Sequence, residues 1–81
     1  MINYTINNRY TGRPMFMATI DCEEGEPEGW KKRLAVFWAI EKGVSLYRAN
    51  LYRANLSGAN LSGAYLPDAD LYRADLYRSR S

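Results

Sequence analysis

Between Leu46 and Leu76 a leucine recurs at every fifth residue: Leu46, Leu51, Leu56, Leu61, Leu66, Leu71 and Leu76. Two residues before each stands a small apolar one, Val44 and then Ala49, Ala54, Ala59, Ala64, Ala69 and Ala74. Five residues advance about 500° around an α-helix, so these leucines would spread over the whole cylinder. On a strand five is odd, and successive leucines would face opposite sides of the sheet. The period therefore fits neither regular element. Giving every Leu the same surroundings requires the chain to turn by the same angle in each unit. The shortest such figure is a square coil of about 20 residues per circuit, with the Leu and the small residue pointing inward.

The first half reads differently. Ile2, Tyr4 and Ile6 alternate with Asn3, Thr5 and Asn7, which is strand spacing. TGRP at 11–14 supplies a turn, and residues 15–20 make a second strand with Phe16, Ala18 and Ile20 on one side. Residues 21–29 form an acidic linker. A helix is predicted over roughly 27–42, because Pro27 suits a first helical turn and Gly43 a C-terminal stop. Trp30, Leu34, Phe37 and Trp38 would line its apolar stripe, widened by Val36 and Ile40. The expected organisation is a hairpin and capping helix over 1–43 and a coil over 44–81.

The units ANLYR, ANLSG, ANLSG, ADLYR and ADLYR resemble the pentapeptide-repeat family, over about residues 44–78. The resemblance implies a right-handed quadrilateral β-helix, here with under two full coils, and so a mainly β protein. Ser45 and Tyr65 stand where Asn or Asp is usual, and Pro67 is also atypical. These departures predict a distorted first unit, a reshaped corner and, after Arg78, a frayed end. NRYTG, F-x-A-x-I-D-C and LAV-x-WAI are similar to the N-terminal segment of small pentapeptide-repeat proteins of phages and prophages. An apolar cap would cover the first ring of inward leucines, and the predicted helix suits that task.

Charge and chemistry narrow the function classes. The formal net charge of +2 is too mild to announce a nucleic-acid binder. Histidine is absent, which removes the usual base and metal ligand, so no enzyme, cofactor or metal site is expected. The single Cys22 has no intramolecular disulfide partner and reads as a small packed side chain in a reducing compartment, the cytoplasm of a bacterial host. No run approaches the ~18 apolar residues of a membrane span. Asp21, Glu23, Glu24, Glu26 and Glu28 lack the spacing of a calcium loop; they read as a solvated linker or as an acidic surface for a basic partner. Gly58 and Gly63 occupy corners, where a tight turn needs them.

A circuit of about 20 residues stacks positions twenty apart at about 4.8 Å. Arg48 then lies over Asp68, Tyr52 over Tyr72, Arg53 over Arg73, Asn50 over Asp70 and Asn55 over Asp75. Stacked arginines repel unless an anion lies between them, so Tyr52, Arg53, Tyr72 and Arg73 are the candidate partner-binding patch, with Arg48, Arg78, Asp70 and Asp75 around it. Tyr and Arg are enriched at interfaces, although a solvated wall of stacked tyrosines explains the same residues. With so few units much of the coil lies at an end, and Ser79 to Ser81 cannot cover it. A homodimer through the C-terminal circuit around Leu61, Leu66, Leu71 and Leu76 is therefore expected.

The resemblance implies a non-catalytic protein that blocks a host macromolecule. The family includes members that engage DNA topoisomerase by imitating duplex DNA, and small phage proteins often inhibit bacterial defence, as anti-CRISPR proteins do. The partner would be a host protein or protein–nucleic acid complex. Wholesale DNA mimicry fits poorly, because residues 44–81 hold five arginines against Asp68, Asp70 and Asp75. Direct nucleic-acid binding through the arginines, and a structural role in assembly, are the alternatives.

Overall fold

The computed structural model describes residues 1–80. Strand β1 (Ile2–Asn7) pairs antiparallel with β2 (Pro14–Ile20), and helix α1 (Glu28–Lys42) follows, ending at Gly43 in the left-handed conformation. The alternation in β1 and β2 buries Ile6, Ala18 and Ile20, while Phe16 is half-buried and stacks on Trp38 at 5.7 Å.

The helix differs from expectation in which side it buries. Its covered line is Lys31, Ala35 and Ala39 with Val36, whereas Leu34, Phe37, Trp38 and Ile40 are only partly covered and Trp30 is exposed. Alanines at i and i+4 let the helix backbone approach its neighbours closely, so the large aromatic side chains are displaced to the borders of the contact.

The remaining chain winds as the five-residue period requires. Each unit closes a turn in which the residue three beyond Leu donates its N–H to the Leu carbonyl, from Ala49 to Leu46 (3.0 Å) through to Ser79 to Leu76 (2.9 Å). The corner residue two beyond Leu has positive φ in all seven turns: Arg48, Arg53, Gly58, Gly63, Asp68, Arg73 and Arg78. That is the geometry of a type II turn. The Asn or Asp of each unit fixes the turn's entry, as when the Asn50 Oδ1 accepts the Tyr52 N–H (3.1 Å) and the Asp70 Oδ1 accepts that of Tyr72 (3.0 Å).

The three atypical positions leave this geometry intact. Ser45 Oγ accepts the Tyr47 N–H at 3.1 Å, so the first unit is not distorted. Tyr65 has no acceptor in that position, but Pro67 has no N–H to satisfy, and the Pro67–Asp68 corner keeps its turn bond (Ala69 N–H to Leu66, 3.0 Å) and its positive φ. The corner is therefore not reshaped. The end is not frayed up to Arg80, whose N–H donates to the Ala59 carbonyl at 2.7 Å.

The two turns of the coil pair in parallel. Leu46, Leu51 and Leu56 donate N–H groups to the carbonyls of Tyr65, Asp70 and Asp75, while Asp70 and Asp75 donate back to Ala49 and Ala54. Only isolated bridges result, at Asn50–Asp70, Asn55–Asp75 and Asn60–Arg80. Regular strand is thus confined to the hairpin, and among the described residues the extended β content is lower than a mainly β protein implies. The reason is that a corner every fifth residue interrupts each ladder before it lengthens.

The hairpin and helix together close the first turn. The Asn50 N–H finds the Asn7 carbonyl (2.8 Å) and the Asn55 N–H finds that of Gly29 (3.0 Å), standing in for the coil turn that is missing above. Arg9 donates its N–H to Arg48 O (2.8 Å), and Asn8 bridges Ala49. Beneath this cap Leu46, Leu51, Leu56 and Leu61 are all buried.

Candidate protein-interaction surface

The second corner of the coil carries the patch singled out from the sequence. Tyr52 and Tyr72 are adjacent on successive turns, their rings stacked with centroids 5.9 Å apart and planes inclined by 14°. Each ring also carries the arginine that follows it: the guanidinium of Arg53 lies 5.4 Å from the Tyr52 centroid and that of Arg73 5.6 Å from Tyr72. Arg78 and Tyr77 repeat the arrangement at the next corner, at 5.4 Å. A left-handed backbone at the arginine and a ring beneath its guanidinium hold the charge outward. None of Arg53, Arg73 and Arg78 forms an ion pair among the described residues. Two of the tyrosines are widely exposed, Tyr72 at 64% and Tyr77 at 68%.

Lys32 joins this corner from α1. Its Nζ donates to the Tyr52 carbonyl at 2.8 Å and lies 6.0 Å from the Tyr52 ring, and partial burial lowers its pKa despite the opposing charges of Glu28 and Asp70. Arg33 is spent on the cap, donating to the carbonyls of Asn55 and Ser57 between the rings of Trp30 and Phe37. Neither Lys32 nor Arg33 is legible in the repeat, since both lie outside its register.

Other candidate residues are placed elsewhere. Arg48 sits at the first corner, 3.3 Å from Asp68, over the rings of Tyr47 and Tyr10. Asp68 also accepts from the Tyr10 hydroxyl at 2.9 Å and pairs with Arg9 at 3.4 Å. The hydrogen bond to Asp68 is the main reason the Tyr10 phenol is raised above its ordinary pKa. This is a clasp between the hairpin loop and the second turn, and it takes Arg48 out of the partner-binding set. Asp70 and Asp75 lie on the walls leading into the Tyr72 and Tyr77 corners, each with one oxygen committed to the backbone.

The acidic residues Asp21, Glu23, Glu24, Glu26 and Glu28 are all exposed, but they do not act as one patch. The Glu24 carbonyl accepts the buried Lys31 Nζ at 2.6 Å, and Glu28 accepts the Tyr4 hydroxyl at 2.6 Å. Burial and the bond to Glu28 raise the Tyr4 pKa strongly. No group of acidic, Cys or His side chains among the described residues is arranged to hold a metal ion. Cys22 is half-buried and unpaired, and no described helix is long and apolar enough to cross a membrane.

The leucines assigned to a dimer interface divide into two groups. Leu61 closes the first turn and is already covered by its own chain, which corrects its assignment to the C-terminal circuit. Leu66 and Leu71 are half-buried and Leu76 is 41% exposed, so the open apolar end consists of these three.

No curated protein and no solved structure matches the chain. A family model does, that of the pentapeptide repeats, in eight copies over residues 45–80. The eighth copy ends on Arg80, in line with the bridge from Arg80 to Asn60 that completes the stack. Residues 45–80 of this chain belong to the pentapeptide-repeat family.

Proposed function

We propose that the chain is a non-catalytic macromolecule-binding protein that blocks a host complex, as a phage-type inhibitor does, and that it engages a protein partner through the Tyr52–Arg53 and Tyr72–Arg73 corner. Pentapeptide-repeat proteins are generally non-enzymatic and often bind proteins, which supports the class. One observation carries the site. Gly58 and Gly63 show that this coil accepts glycine at a corner, where positive φ costs it nothing. Arginine in the same conformation is strained. The chain nevertheless places Arg53, Arg73 and Arg78 there, outward and without an ion pair. Stability alone favours glycine at these positions.

The test is a pull-down from bacterial lysate with the wild type and Arg53→Glu/Arg73→Glu side by side. The reading expects a partner retained by the first and lost by the second, and recovery by both discards the site. A mobility-shift assay at low salt separates the alternative of direct nucleic-acid binding, which would weaken steeply as salt rises.

The open end of the coil supports a second contact. Leu66, Leu71 and Leu76 are incompletely covered, and the surrounding Asp70, Arg73, Asp75 and Arg78 alternate in sign. A second copy brought end to end could set arginine against aspartate around an apolar centre. Sedimentation that is independent of concentration would exclude this homodimer.

A further inference from the structure

We infer that the surface recognised by the Tyr–Arg corner is an α-helix carrying carboxylates at i and i+4, laid along the stacking direction of the coil. The inference rests on the reading that this corner binds a protein, and it specifies the partner's chemistry. Arg53 and Arg73 stand on successive turns, about 4.8 Å apart by the spacing of paired strands. Side chains four apart on a helix are separated by about 5–6 Å, so two carboxylates on one helical face match two stacked guanidinium groups. Each guanidinium has one face on a tyrosine, which leaves its in-plane N–H fork directed outward for a bidentate carboxylate. Lys32 beside Tyr52 adds a third cation.

Nucleic acid fits the same corner less well, for two reasons on this surface. Stacking of bases requires free aromatic faces, yet Tyr52 and Tyr72 cover one another and carry an arginine each. Asp70 and Asp75, moreover, lie on the walls beside the arginines. They repel a continuous polyanion but accommodate discrete carboxylates flanked by a basic residue. The pattern of separated charges is that of a protein helix.

The probe is a fluorescein-labelled, alanine-based helical peptide with Glu at every fourth position and flanking Lys, compared by anisotropy with its Gln counterpart and with a duplex oligonucleotide. The expected result is binding of the Glu peptide to the whole chain and none of the Gln peptide. Arg53→Gly/Arg73→Gly should weaken binding about tenfold, the scale of one lost charge-assisted contact, while raising the melting temperature by relieving two strained corners. Loss of binding together with a gain in stability cannot arise from misfolding. Equal binding of both peptides, tighter binding of the oligonucleotide at physiological salt, or undiminished binding by the glycine variant overturns the inference. If the Glu peptide fails while a lysate partner still depends on Arg53 and Arg73, the helical acidic partner is refuted and the site stands.

Discussion

The two turns of the coil have nearly the same sequence and the same backbone, yet they differ in what lies beyond them. Above the first turn the hairpin and helix supply acceptors for Asn50 and Asn55 and cover Leu46, Leu51, Leu56 and Leu61. Below the second turn nothing described takes the N–H groups of Leu71, Arg73, Leu76 and Arg78, and Leu76 is 41% exposed. The corners are nonetheless alike in both, with the same turn bond and positive φ. Local geometry therefore comes from the unit itself, through its Asx bond and its type II turn, whereas burial comes from neighbours. The largest test of that division is a matched pair of truncations. Leu51→Ala should cost about 3 kcal/mol, as a buried Leu does, and Leu76→Ala under about 1 kcal/mol, both read from urea denaturation. Equal losses would mean that the second turn is covered in solution.

The cap's fit on the first turn gives the next effect. A Cβ at Gly29 would lie 2.7 Å from the Arg53 carbonyl oxygen, a backbone atom that cannot move aside cheaply. Gly29→Ala should therefore destabilise the chain by about 1–3 kcal/mol through overpacking. The same change at Gly25, where nothing lies within 4 Å, should be nearly silent in the same melt. Its loss should also expose the Asn55 N–H to faster hydrogen exchange.

A smaller effect belongs to the clasp that ties the two turns to the hairpin loop. Removing Asp68 takes away the partner of Arg9, Tyr10 and Arg48 at once, but these groups are largely solvated, so Asp68→Ala should cost about 1 kcal/mol or less. Its pH signature is more diagnostic. A phenol whose folded pKa is raised keeps its proton in the folded state after the unfolded chain has lost it. Stability from the Tyr10 contact is thus full below the unfolded value near 10 and lost as pH rises above it. Tyr4 behaves in the same sense through Glu28. In ultraviolet titration Asp68→Ala should return Tyr10 toward ordinary behaviour and leave Tyr4 unchanged.

Much of this was legible in the sequence because the repeat carries its own register. A period of five and a circuit of twenty place Arg48 against Asp68 and Tyr52 against Tyr72, and both pairs are found. Strand alternation and the Pro27 and Gly43 signals place the hairpin and helix to within about a residue. What escaped was the docking between the halves. Arg9, Tyr10, Lys31, Lys32 and Arg33 reach their partners with long polar side chains whose aim no local period encodes. The alanine line of α1 escaped because a hydrophobicity pattern weights the large aromatics, whereas close backbone approach selects the small residues. The strained arginines could have been found, since Arg48, Arg53, Arg73 and Arg78 occupy the position held by Gly58 and Gly63.

That equivalence permits the smallest and most discriminating comparison, at the third corner, where Gly58 of the first turn lies over Arg78 of the second. Both residues have positive φ, at 69° and 58°, and a Cβ on Gly58 would meet nothing within 4 Å. Gly58→Ala therefore measures backbone strain alone and should cost about 1 kcal/mol. Arg78→Gly removes the same strain but also forfeits an exposed guanidinium–ring contact of about 0.5 kcal/mol, so a net gain of about 0.5 kcal/mol is expected. Opposite signs from these variants, at one corner on adjacent turns, would establish that the unit imposes its turn whatever covers it. Both would then attribute Arg78 to something other than folding. A loss of stability in Arg78→Gly would instead make the Tyr–Arg pair a structural strut, and the argument for a partner at these corners would lose its support.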